Sequence, residues 1–217
     1  MILDEVFERF ITKSPLVVML RMVLEQSLSA EEVDQLFVET AQAQYQKELL
    51  FSTVVSLMSL VVCGIAKSVN SAHQSNAKQV GVKVQALYQK LDGIEPQVCE
   101  ALVRHGAAKA KALIEQLGMV RPALVEGYRV KILDGNHLSA TERRLKVLRS
   151  EGSAPLPGQA LVVLDPALQL AIDVFACEDG HAQERSMLKR VLDTVVPHDL
   201  WIEDRNFCTL GFLFGIH

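Results

Sequence analysis

Two aspartates stand at matching points of two short alternating segments. Asp134 closes YRVKILD and Asp204 closes LWIED. In each segment the preceding same-phase residues are apolar, Val130 and Ile132 in the first and Leu200 and Ile202 in the second. A carboxylate that continues a buried face is costly unless a cation compensates it. Were the two segments adjacent parallel strands, their carboxylates would repel at contact distance, and a divalent cation removes that cost. Two carboxylates sharing Mg2+ or Mn2+ form the core of metal-assisted phosphoryl transfer, positioning the attacking and leaving oxygens. The plainer alternative is that both aspartates cap loops at strand ends.

The other candidate chemistry is basic. Residues 67–111 carry a net charge of +4, although the whole chain is at −4. That segment can face a polyanion, or it can be an ordinary solvated helical surface. Within it, Ala77 and Gly81 stand in A-x-x-x-G spacing, the pattern of a helix-turn-helix in which a small residue allows close approach and Gly makes the turn. The second helix would start near Val82, bury Val84 and Leu87, and expose Lys83, Gln85, Gln89 and Lys90 to phosphates and base edges. A plain helical hairpin fits the spacing equally well. A second basic strip, Arg143, Arg144, Lys146 and Arg149, follows the first aspartate and would line a DNA path or form a charged linker.

The elements that must position these residues can be read from periodicity. The 217 residues are 49% hydrophobic and 22% charged, enough for a real core and too apolar for a disordered tail. Cys63, Cys99, Cys177 and Cys208 form no CxxC pair, which points to reduced thiols and against a zinc site. No secretory signal is evident, and the uncharged run from Leu49 to Ala66 carries serines at helical spacing. It reads as a buried helix, not a membrane span. The expected location is the cytoplasm.

Residues 1–120 read as a helical region, with a capping box at Ser29 and Glu32 and a last helix from Pro96 to Leu117 stopped by Gly118. Residues 121–217 change to period two. The expected order is strand, strand, strand, helix, strand: Tyr128 to Asp134, Leu161 to Asp165, Leu170 to Ala176, a helix from His181 to Val195, and Leu200 to Asp204. This is an α+β arrangement with a mixed sheet. Asp165 and Asp173 read as turn and sheet-surface residues, and His137 and His181 as structural. Trp201, opposite in phase to Asp204, is expected to pack under the crossover helix.

Strand-strand-strand-helix-strand with Asp on the first and fourth strands is the layout of the RNase H-like fold. The stretches LDGNHL (133–138), LPGQALVVLDPALQLAIDVFACEDGHAQE (156–184) and LWIEDRNF (200–207) resemble the DDE transposases of bacterial insertion sequences, in particular the IS-four-type cut-and-paste branch. The helical stretch from Phe51 to Pro96 is also similar to that branch, so the resemblance covers most of the chain from about residue 50.

The resemblance implies an N-terminal all-α DNA-binding and dimerising region over 1–120 and an RNase H-like catalytic core over 121–217. It makes Asp134 and Asp204 the first two metal-binding carboxylates, Arg205 a DNA contact and Phe207 a packing residue. The implied cofactor is Mg2+ or Mn2+. The implied partners are double-stranded DNA, as transposon terminal inverted repeats and target, and a second copy in a synaptic homodimer. The third acid of such enzymes is a Glu within a Tyr-Arg-Glu-Lys-type signature, which does not occur within these 217 residues. Glu178 and Glu184 are nearby carboxylates, but neither is read as its substitute. The expectation is therefore an incomplete catalytic core, inactive alone. The alternative is a non-catalytic DNA-binding or dimerising regulator derived from a transposase.

Overall fold

A computed structural model describes residues 29–138, 158–177 and 182–216. The chain forms two compact units, one of residues 1–39 and 45–88 and the other of residues 40–44 and 89–217. The basic strip Arg143, Arg144, Lys146 and Arg149 lies outside the described residues.

The first unit is helical. Helix α1 (Ala30–Thr40) begins with the expected cap, the Glu32 N–H donating to Ser29 Oγ at 3.3 Å. It packs on α2 (Phe51–Val62) through Phe37 and Phe51, whose ring centroids lie 4.9 Å apart. Asp34 of α1 accepts the Ser52 N–H at 2.9 Å and the Ser52 hydroxyl at 2.7 Å. A carboxylate thus satisfies a free donor at the positive end of α2. The apolar run from Leu49 is not buried throughout: Phe51, Val54 and Leu57 are covered, whereas Val62 and Ile65 are exposed. Among the described residues no helix is long and apolar enough to cross a membrane.

Helices α3 (Val69–Ser75) and α4 (Ala77–Val80) lead into a turn at Gly81, and α5 (Val84–Asp92) follows. Gly81 takes φ +69°, the left-handed conformation that ends helices and favours Gly. Buried His73 ties the turn back to α3, its Nε2 lying 2.8 Å from the Val82 carbonyl. A Cβ on Gly81 would meet no atom, so only backbone strain opposes a side chain there. Gly81→Ala is expected to cost about 1–2 kcal/mol and Gly81→Asn less, which thermal unfolding of the two variants would check.

In the second unit, α6 (Pro96–Gln116) starts with Pro in its first turn, where the missing N–H is no loss. Just ahead of it, Glu95 Oε2 accepts the Gln42 and Ala43 N–H groups at 2.9 and 3.0 Å. The Ala43 N–H is the main cause holding this carboxyl below its ordinary value; burial opposes it, and Gln42, Gln44 and Gln97 add to it. A depressed folded-state pKa gives stability that is present above the unfolded value and lost as pH falls through the folded one. Glu95→Gln should therefore lose less urea-midpoint stability than the parent between about pH 6 and about pH 3.

Four strands follow: β1 (Arg129–Leu138), β2 (Gly158–Asp165), β3 (Leu170–Cys177) and β4 (Asp199–Glu203). They form one mixed sheet in the order β3-β2-β1-β4. The β1–β2 and β2–β3 pairs are antiparallel and the β1–β4 pair is parallel. A 3-10 turn (Glu184–Met187) and α7 (Leu188–Leu192) make the crossover to β4, shorter than the single helix expected over 181–195. Their Met187, Leu188 and Val191 pack on Leu133, Leu161, Val163 and Phe175, with Trp201 against the same cluster as expected.

Helix α6 lies along β3, an edge strand. Its buried Glu100 accepts the outward-facing Ala176 N–H at 2.8 Å, pairs with Arg190 at 2.5 Å, and Arg104 reaches Asp173 at 2.6 Å. One sheet edge is thus closed by side chains of a helix. For this reason the compact units separate near residue 88, whereas the change of periodicity falls near 120.

Candidate functional site

The parallel ladder between β1 and β4 runs through Ile132↔Ile202 and ends at Leu133↔Glu203. Asp134 is the next residue of β1 and Asp204 the first residue past β4, so the ladder brings their backbones to one end of the β1–β4 pairing. Neighbouring strands are spaced about 4.8 Å apart. Alternation puts Asp134 on the face of Ile132 and Ile202, opposite Leu133 and Trp201.

Two details differ from the sequence expectation. Asp134 does not close its strand, because β1 continues to Leu138 and Asp134 pairs with Val162 of β2. Nor does the buried face extend as far as the carboxylates. Val130 is buried at 5% exposed and Ile132 is half-buried, but Ile202 is 47% exposed and both aspartates are exposed, whereas the opposite face of β1 carries buried Lys131 and Leu133. The inward-pointing Lys131 is 5% exposed and is paired at 2.5 Å with Asp199 of β4, with its ammonium 5.0 Å from the Trp201 ring centroid. Pairing and the long alkyl stem let a lysine occupy a position that alternation assigns to solvent. Desolvation therefore does not demand a cation at Asp134 and Asp204.

Each carboxylate is held through one oxygen. Asp134 Oδ1 accepts the Gly135 N–H at 2.9 Å, and Asp204 Oδ1 accepts the Asn206 N–H at 2.7 Å. The second bond makes Asp204 the cap of a 3-10 turn (Arg205–Phe207), so the capping alternative holds for this residue together with its placement beside Asp134. Each Oδ2 has no hydrogen-bond partner among the described residues. Phe207 is buried in the core, and Arg205 is exposed beside the carboxylates.

Glu203 and Cys208 flank the pair. Burial pushes the Glu203 carboxyl above its ordinary value, partly offset by the Cys208 thiol donating at 3.5 Å. The same hydrogen bond is the main cause raising the Cys208 thiol, with burial and the Glu203 and Asp204 charges adding to it. Glu184, read from the sequence as a helix-start residue, lies against Gly135 and accepts the Asn206 side-chain amide at 3.1 Å. Nothing in its spacing signalled this contact, which depends on how the crossover sits on the sheet.

Of the helix-turn-helix residues, Lys83, Gln85 and Gln89 are exposed on or next to α5 and Leu87 is buried, as the spacing predicts. Lys90 departs from it: the side chain is half-buried, and burial lowers its pKa.

Two oxygens are a sufficient protein donor set for Mg2+, which usually keeps several waters and binds through one or two carboxylates plus substrate phosphate. Asp134 and Asp204, at the end of the β1–β4 ladder, would supply two such carboxylates. Among the described residues no group of three His, Cys, Asp or Glu side chains is placed to hold a metal. No protein-family model, curated protein or solved structure matches the chain.

Proposed function

We propose that the chain carries part of the catalytic core of a DDE-type transposase, with an RNase H-like sheet, acting on double-stranded DNA in metal-dependent strand cleavage and transfer. The observation that carries this reading is the placement of Asp134 and Asp204 one step beyond the last β1–β4 pair, each with one oxygen that has no partner among the described residues. The sheet order and the helical crossover between β3 and β4 support the fold assignment.

In this reading Asp134 and Asp204 hold Mg2+ or Mn2+, which when bound activates a water or a 3′-hydroxyl and neutralises charge on the scissile phosphate. The backbone N–H groups of Gly135 and Asn206 fix the rotamers of the two carboxylates. Arg205 is exposed next to them and can pair with a DNA phosphate.

The exposed Lys83, Gln85 and Gln89 around the Gly81 turn favour a second reading, a non-catalytic DNA-binding regulator. A mobility-shift titration with insertion-sequence terminal repeats, together with plasmid nicking in Mn2+, separates the two. Salt-sensitive binding with nicking abolished by Asp134→Ala or Asp204→Ala supports the transposase core. Binding without nicking fits both the regulator and a core that is inactive alone; Mn2+ binding that is lost in Asp134→Asn and Asp204→Asn then supports the core, and no Mn2+ binding supports the regulator. No binding at low salt contradicts both, and nicking that survives both substitutions refutes the assignment of the aspartates.

A further inference from the structure

We propose that Glu184 and Arg185 form a clasp that sets the spacing of the two aspartates, making them positioning residues for the divalent cation. This rests on the carboxylate-pair reading above. The β1–β4 ladder ends at Leu133↔Glu203, so no backbone pairing between these strands fixes Asp134 relative to Asp204. Side chains from the crossover span that gap.

Glu184 touches both motifs. On one side it packs so closely over Gly135 that a Cβ there would overlap its carboxylate. On the other, its Oε2 accepts the Asn206 Nδ2–H at 3.1 Å. Arg185 grips the same asparagine twice, Nε donating to the Asn206 carbonyl at 2.7 Å and Nη2 to its side-chain Oδ1 at 3.0 Å. Asn206 in turn gives its backbone N–H to Asp204 at 2.7 Å, and Gly135 gives its own to Asp134 at 2.9 Å.

Every polar atom of the Asn206 side chain is therefore committed to consecutive residues of the crossover. The clasp works from the covered side of the sheet, while the aspartates project from the other side. Glu184 acts by holding the backbone that orients the ligands, not as a ligand. Outer partners of this kind change metal affinity without touching the metal.

The test compares the full-length parent with Glu184→Ala, Glu184→Gln and Asp204→Asn by Mn2+ titration and by amide exchange at Asn206. Glu184→Gln keeps an oxygen acceptor for Asn206 and should bind Mn2+ like the parent. Glu184→Ala should bind about tenfold more weakly at an unchanged melting temperature. Its Asn206 amide should exchange about tenfold faster.

Parent-like affinity in Glu184→Ala overturns the clasp, as does a Glu184→Gln loss equal to that of Ala, which would mean that the charge acts on the metal directly. If the parent binds no Mn2+, or Asp204→Asn binds as the parent does, the carboxylate-pair reading fails. Amide exchange then decides the clasp alone: equal Asn206 rates in parent and Glu184→Ala refute it.

Discussion

Asp134→Asn and Asp204→Asn are each expected to weaken Mn2+ binding by tens-fold or more while leaving the urea midpoint nearly unchanged. The two halves of this expectation have separate causes. Affinity falls because each substitution removes one of the two anionic oxygens that have no partner among the described residues, and without a substrate phosphate the ion has only these two carboxylates to bind. Stability is spared because both side chains are exposed, and exposed substitutions away from special features typically change it by within ~0.5 kcal/mol. Asparagine also keeps the side-chain oxygen that accepts the Asn206 N–H. Asp204→Ala loses that cap and should cost about 1 kcal/mol, a difference that distinguishes the structural from the ligand role of one residue. Calorimetric Mn2+ titration and urea unfolding of the three variants check both halves.

Lys131→Met should be among the most destabilising single substitutions in the second unit, at about 3–5 kcal/mol. Lys131 and Asp199 are both buried, with side chains 6% and 1% exposed, and they pair at 2.5 Å. Removing the ammonium leaves a carboxylate in the core whose Oδ1 already lacks a partner among the described residues and whose Oδ2 keeps only the Val196 N–H at 3.0 Å. Methionine preserves the packing of the stem against Trp201, so the loss reports the charge and not a cavity. Adding Asp199→Asn removes the stranded charge while keeping the Val196 bond, and the double variant should recover most of the stability. Trp201 is the only tryptophan, and its ring lies 5.0 Å from the ammonium, so its fluorescence follows the transition. The pair also matters for the site. It joins β1 to β4 in the register that sets Leu133 beside Glu203, one residue short of the aspartates, and a slip of one residue would send one of the two to the opposite face.

The sheet was legible because its strands are short runs of alternating or aliphatic residues broken by Pro, Gly and Asp, and because one helical stretch separates the third from the fourth. Gly81 could be placed in a turn from spacing alone, since few other residues accept its backbone conformation. The inner and outer faces of β1 could not be assigned. Alternation in YRVKILD offers Val130 and Ile132 as the buried pair, and Val130 is indeed buried and Ile132 half-buried, but the face toward α7 carries Lys131 and Leu133, both buried as well. A buried lysine is betrayed only by its partner, and Asp199 is 68 residues away. The role of α6 was hidden for the same reason. Its periodicity announces a helix, but only the fold shows Glu100 meeting the Ala176 N–H at the edge of β3. In the candidate site, the two aspartates followed from strand phase, whereas Glu184 and Arg185 owe their positions to the docking of the crossover.

Iron-directed cleavage tests most directly whether the two aspartates share one cation. Fe2+ substituted for Mg2+ reduces peroxide to hydroxide and a hydroxyl radical, ascorbate returns the Fe3+ formed to Fe2+, and the radical cuts the backbone next to the bound ion. Two clusters of cuts are expected, around residues 134 and 204, both suppressed by excess Mg2+ and both lost together in Asp134→Asn. Cuts confined to one of the two segments, or a pattern that persists in that variant, would contradict it.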